Sequence, residues 1–411
     1  MISQSSFQDS LDGDEKEVEV EAEAEAEPVE EPPLEPSRDA QQMDAHYSLY
    51  RRQRSQQPGD SGDIGHRRTG SSDSFPKETL SQEDLSLSLV ASNLSVEAET
   101  ELRTFLIRRL SKGAPFAGMG TIAAVELSIA EQPVACYYCL LPPAEQPSAT
   151  ESDELTKAVV TDYALCFLGS TEKSLELFRI ELDKYAQGLQ PYLYSEASAS
   201  EPDVQPYLSS WYEEAVLYIH RVVQLFQEKL SILLRAALSH TPVDIQGADS
   251  KIKQAIEWFL CAASLQGLMQ EDSLASLCKA MAREQQKAIV VDCSGPTPTV
   301  TNAVSNKFCE DWIPSFLNIQ ETGNPFLIRQ ILENFKLKAI QDMNSLKRYI
   351  QQAESNNYAL FKCFVFLKNC GNGEVLLQNV KVEQAEMPEA RSVVKVLEEF
   401  LHEEGVITCP I

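Results

Sequence analysis

The sequence predicts an α+β fold: a mostly helical domain with a small antiparallel sheet, two long helices, a C-terminal hairpin and a disordered acidic N-terminal tail. Three observations predict it. Between Pro325 and Glu354 the apolar residues Ile328, Ile331, Leu332, Phe335, Ala339, Met343, Leu346 and Ile350 recur at steps of three and four, the spacing that lines one face of an α-helix. Val204 to Leu238 repeats that pattern through Leu208, Trp211, Ala215, Ile219, Val222, Val223, Phe226, Leu230 and Leu233. Thr121–Ile129, Val134–Leu141 and Val159–Leu168 are apolar runs of strand length, joined by Glu131-Gln132-Pro133 and a polar loop, which favours an antiparallel meander over crossover units.

Taken in order, residues 1–78 carry EVEVEAEAEAEPVEEPPLEP and then Ser, Arg and Gln-rich sequence with few aromatics. Such a segment buries too little surface to offset chain entropy and reads as disordered, with Arg51-Arg52-Gln53-Arg54 and Arg67-Arg68 as solvated basic islands. Residues 79–411 read as one globular domain. Leu85-Ser-Leu-Ser-Leu89 alternates and suits an edge strand or a linear docking motif. Glu97–Leu110 is an entry helix, and Ser170 or Thr171 caps another that runs to about Tyr185. As one helix, Val204–Leu238 is a spine about 50 Å long. Two shorter helices, Asp249–Ala263 and Asp272–Gln285, precede a strand over Lys287–Cys293. Asn324 caps the helix that Pro325 opens, and Ser355-Asn356-Asn357 stops it. Ala359–Leu367 and Val375–Val382 are rich in Phe, Val and Leu and flank Asn369-Cys-Gly-Asn-Gly373, which reads as a hairpin before a closing helix, Ala390–Glu403.

The formal charge is −27, and residues 1–100 hold 23 Asp and Glu against 8 Lys and Arg, so acidity belongs mostly to the tail. Phosphate neutralisation needs a concentrated basic surface, which argues against nucleic acid as the ligand. No apolar run approaches the roughly 18 residues that span a bilayer, so a cytosolic protein is expected, with at most peripheral membrane contact. The ten cysteines lie mostly inside apolar segments, a pattern of buried thiols in a reducing compartment.

Complete catalytic signatures do not emerge. Cys136-Tyr-Tyr-Cys139 has the spacing of a zinc or redox pair, but positions three apart in a strand face opposite sides of the sheet. Leu168-Gly-Ser-Thr-Glu-Lys173-Ser lacks the second glycine of a phosphate loop, and Gly118-Met-Gly120 precedes a strand instead of following one. His220, His240 and His402 sit alone. No catalytic, cofactor or metal residue is assigned. The candidate partner-binding residues are Arg329, Lys336, Lys338, Lys347 and Arg348, a locally basic set on the Pro325 helix that suits an acidic partner or a membrane surface. The competing reading makes them solvated residues opposite the buried stripe, with Lys338 and Asp342 paired at i, i+4.

CYYCL at Cys136, LDKY at Leu182, FQEKL at Phe226, ASLQGL at Ala263, FCEDW at Phe308, NPFLIRQILENFKLKAIQD at Asn324, LFKCFVFLKNCG at Leu360 and EMPEA at Glu386 are long, unbiased strings. Together they resemble the vertebrate Njmu-R-one family over about residues 80–400. That resemblance implies a non-enzymatic subunit of a trans-Golgi assembly built around a large WD-repeat protein and a FAM-ninety-one-type subunit. It also implies a TBC-domain adaptor acting alongside when golgins capture endosome-derived vesicles, recruitment from the cytosol to the trans-Golgi network, and a link to spermatogenesis. The family supplies no catalytic residues. An enzyme with an unrecognised cysteine-containing site stands as the alternative.

Overall fold

Strand β4 (Val134–Leu141) is buried along its whole length and β5 (Asp162–Gly169) along nearly all of it, so apolar side chains on both faces need cover. The computed structural model supplies that cover. It describes residues 45–54, 85–111, 119–142, 162–169, 171–194, 204–265, 288–320, 323–383, 387–403 and 405. With β1 (His46–Arg54), β2 (Leu85–Ser92) and β3 (Thr121–Val125), the two strands form an antiparallel sheet in the order β2-β1-β5-β4-β3. The β3-β4-β5 meander and the edge position of β2 match the sequence reading.

Strand β1 corrects the tail boundary. Residues 46–54 were expected among disordered sequence, yet they pair on both sides, with β2 and with β5. Tyr47 and Leu49 enter the main core while Tyr50 enters the core on the other face. The basic island is held too: Arg52 lies 3.6 Å from Asp162, and the Arg51 guanidinium sits 5.9 Å from the Tyr163 ring centre. Arginine-rich composition hid the alternation, and the pairing partners lie far along the chain. The rest of the expected tail, residues 1–44 and 55–78, and with it Arg67-Arg68, falls outside the described residues, as does the expected helix Asp272–Gln285.

One face of the sheet is closed by α1 (Val96–Leu110), whose Leu102, Leu106 and Leu110 meet Cys136, Tyr138, Leu140 and Cys166. Ser95 caps it, accepting from Ala98 N. The other face packs against helices that follow Thr171, which caps α2 (Glu172–Glu176). The single helix expected to run to about Tyr185 is broken at Leu177-Phe178 into α2 and α3 (Arg179–Gly188), and α4 (Gln190–Leu193) follows.

The 50 Å spine is likewise segmented, into α5 (Gln205–Ser209), α6 (Trp211–Ala215), α7 (Tyr218–Phe226), a 3₁₀ turn (Gln227–Lys229) and α8 (Leu230–Ser239). At one break the Leu217 amide reaches back five residues to the Tyr212 carbonyl, 2.9 Å, widening the turn. At another Gln227 adopts φ 50°. The buried stripe persists across these breaks, because periodicity specifies which face is apolar and not whether the axis is straight. Beyond α8 a small sheet, β6 (Val243–Gln246), β7 (Ile289–Asp292) and β8 (Thr299–Thr301), pairs parallel then antiparallel, and α9 (Ser250–Ala263) is capped by Asp249.

Next come α10 (Lys307–Gln320) and α11 (Pro325–Ala353), the latter capped by Asn324 with Pro325 at its first position as expected. The expected hairpin is instead two helices, α12 (Asn357–Asn369) and α13 (Gly373–Glu383), followed by α14 (Pro388–Glu403). Ala359, Cys363 and Leu367 are buried at steps of four, while Asn356 caps α12 by accepting from Tyr358 N. A continuous apolar run of this length is compatible with strand or buried helix, and packing against α11 decides it.

Gly371, at φ 70°, and Gly373 make the α12–α13 corner. A Cβ on Gly373 would stand 2.3 Å from the Leu367 carbonyl oxygen. Gly373→Ala is therefore expected to destabilise the chain by about 1–3 kcal/mol, since backbone must move, and chemical denaturation measures it.

Candidate functional site

The first turns of α11 carry the most elaborate polar arrangement of the described residues. Arg329 follows Ile328 in sequence but lies only 3% exposed, because α3 and α7 pack over the helix start. Its Nη1 donates to Glu181 Oε1 at 3.0 Å and to Tyr218 Oη at 3.2 Å, and Tyr218 Oη donates to the same Glu181 oxygen at 2.8 Å. The Phe178 ring centre lies 5.7 Å from the guanidinium, and Glu333 Oε1 lies 3.2 Å from Nε. Burial works against the Arg329 cation, yet Tyr218, Glu181 and Glu333 outweigh it and hold the group above its ordinary pKa. Burial and the Glu181 charge raise the Tyr218 phenol well above its usual range, so it remains a neutral donor.

The five candidate partner-binding residues therefore do not form one exposed basic patch. Arg329 is committed inside the fold to Glu181 and Tyr218 and is not part of an exposed basic patch. Lys336 pairs with Glu333 at 3.0 Å and Lys347 with Glu383 at 2.5 Å. Positions 329, 336 and 347 differ by seven and eleven residues, close to whole numbers of turns, so they share a side of α11. Lys338, 52% exposed on its side chain, pairs with Asp342 at 2.8 Å at the predicted i, i+4 spacing. Arg348 is exposed and its Nη2 donates to Ser345 Oγ. Local pairing answers most of the positive charge that composition suggested was available.

A cleft of about 480 Å³ opens where α2 and α3 meet α11, lined by Lys173, Glu176, Leu177, Ile180, Arg329, Glu333 and Lys336. Its lysines and glutamates alternate in sign, so it carries no strong field for one charge class. A second polar hub was invisible in the sequence: Asp183 Oδ1 accepts from Gly120 N and from Tyr137 Oη, both at 2.7 Å. Nothing local marks Glu181 or Asp183 as special, because their partners lie up to 148 residues away.

Cys136 and Cys139 lie in the cores on opposite faces of the sheet, as the strand argument requires, and do not converge on one ligand. Burial raises the Cys139 thiol to about 12, and Cys363 likewise. The eight described cysteines are unpaired thiols. Among the described residues no group of three or more His, Cys, Asp and Glu side chains is arranged to hold a metal ion, and no helix is long and apolar enough to cross a membrane. Thr171, within the sequence that resembled a phosphate loop, serves as a helix cap instead.

His240 ends α8 in the left-handed region, at φ 52°, and burial lowers its pKa. The unfolded chain then binds the proton first, so stability falls as pH drops below about 6.5 and towards the depressed folded value. His240→Asn, which tolerates the same backbone, is expected to flatten unfolding midpoints between about pH 6.5 and 5 relative to the parent chain.

The Njmu-R1-like protein family matches this chain over residues 47–403, which includes β1 and extends to the end of α14. Protein Njmu-R1 of the mouse is 53% identical over 401 residues, covering 97% of this chain and 98% of the mouse protein. Identity at that level across nearly the whole length of both proteins shows that the chain belongs to the Njmu-R1-like protein family.

Proposed function

We propose that this protein is a non-enzymatic scaffold or adaptor subunit of a trans-Golgi assembly that aids golgin-mediated capture of endosome-derived vesicles. Its partners on this reading are a large WD-repeat protein and a FAM-ninety-one-type subunit, with a TBC-domain adaptor acting alongside. It works from the cytosol, is recruited to the trans-Golgi network, and contributes to spermatogenesis through the same transport role. The observation that carries the reading is family membership over nearly the full chain. The internal use of the polar groups is compatible with it, since Arg329, Glu181 and Tyr218 bond to one another inside the fold.

Affinity purification of the tagged full chain from cells tests it. The WD-repeat and FAM-ninety-one-type proteins are expected to co-purify in reproducible ratio. Repeated recovery of the folded chain without either would overturn the proposal.

A further inference from the structure

The two edges of the five-stranded sheet are treated differently. At β3 the backbone amides are occupied by carboxylates from elsewhere: Gly120 N donates to Asp183, Ala124 N to Glu172 and, just past the strand, Ser128 N to Glu101, each at 2.7 Å. Side chains thus seal that edge against a further strand. At β2 the sheet ends on eight residues, LSLSLVAS, with no charge, proline or glycine among them. Among the described residues β2 forms strand pairing with β1 alone. Leu89 is 45% exposed, and Ser86 and Ser88 are exposed. Within Leu85–Leu89 no charge or proline guards the edge, and the irregularity of the β1–β2 ladder falls past Leu89.

We infer that β2 is a homodimerisation edge, on which two copies of this chain pair antiparallel through Leu85–Leu89 with Leu87 on the two-fold axis. The occupant follows from the strand itself. LSLSL reads the same in both directions, so this register sets Leu85 opposite Leu89 and Ser86 opposite Ser88. Leucine meets leucine on the face that α1 covers, and serine meets serine on the other. A one-residue slip sets leucine against serine throughout. The five paired residues are themselves neutral in a chain of formal charge −27. The irregularity in the β1–β2 ladder, at Leu49/Tyr50, lies beyond this segment and leaves its pairing regular.

The two-fold axis adds a second complementarity. Because α1 lies on β2, the symmetry sets the two α1 helices antiparallel. Each has acidic residues in its first turn, with Glu97 exposed, and basic residues in its last, with Arg108 and Arg109 exposed, so the acidic end of one is directed towards the basic end of the other.

Sedimentation velocity of the full chain over a micromolar concentration series tests the inference. The parent chain is expected to shift from monomer to dimer. Ser86→Lys with Ser88→Lys places like charges opposite each other twice and should leave monomer throughout. Ser86→Lys with Ser88→Glu places lysine opposite glutamate twice in this register alone, and should restore a dimer that weakens with salt. Both serines are exposed, so circular dichroism of the variants should match the parent. A parent chain monomeric throughout overturns the inference and leaves the edge to a strand from another protein. A dimer indifferent to all four charges, or a Lys/Glu variant as monomeric as the Lys/Lys variant, overturns it as well.

Discussion

Arg329→Met is expected to destabilise the fold by about 3–5 kcal/mol, because it strands the Glu181 carboxylate in the interior with its countercharge removed. Glu181 is 4% exposed, and its Oε1 accepts from both Arg329 and Tyr218. The loss measures the penalty of an unpaired buried charge, not the worth of the pair. The companion variant separates the two: Arg329→Met with Glu181→Leu removes both charges, and Tyr218→Phe removes the donor then left without an acceptor. That triple variant should recover most of the lost stability. Urea unfolding of the full chain, with unchanged steepness, is the measurement. Lys338→Ala on the same helix serves as contrast. Lys338 is half exposed, so water can take its place beside Asp342, whose side chain is only 9% exposed, and the loss should stay within about 1 kcal/mol. A neutral Arg329→Met would return Arg329 to the surface role that charge counting suggested.

How much could be read beforehand depended on the range of the interaction that decides each feature. Helix α11 was legible from cap to stop, because Asn324, Pro325, the apolar stripe and Asn356 all act within a few residues. Strands β4 and β5 were legible because both faces are apolar. Strand β1 was not. Its Arg51 and Arg52 sit where the Tyr163 ring and Asp162 accept them, and those partners come more than 100 residues later. Helices α12 and α13 were misassigned because aromatic enrichment in YALFKCFVFLKN suits a strand locally, while α11 and α14 offer flanking helical surfaces. The candidate site fared similarly. The Lys338–Asp342 pair followed from spacing alone, whereas the burial of Arg329 required knowing that Glu181 and Tyr218 converge on it. The stripe of α11 pointed correctly to core, and the position beside Ile328 on its border was the one counted as surface.

Phe167→Ala should produce a loss of similar size, about 3–5 kcal/mol, at the junction of sheet and helices. Phe167 is fully buried in β5, and its ring stacks on Trp211 at 4.8 Å and Tyr137 at 5.9 Å and meets the Tyr185 ring edge at 5.9 Å. Strand β4, helix α3 and helix α6 therefore all lean on this one ring. Two of the three surrounding rings are fixed by hydrogen bonds: Tyr137 by its bond to Asp183, and Tyr185 by donating to the Tyr207 carbonyl. Anchored neighbours cannot collapse into the space, so the cavity term stays near its full value. Each aromatic pair contributes roughly 0.5–1.5 kcal/mol beyond its buried area, so Phe167→Leu, which fills most of the volume, should still lose part of this stability. Thermal and urea unfolding of the two variants rank them against the parent. If Phe167→Ala costs no more than Phe167→Leu, the rings around it have relaxed into the gap, and the junction is softer than its hydrogen bonds imply.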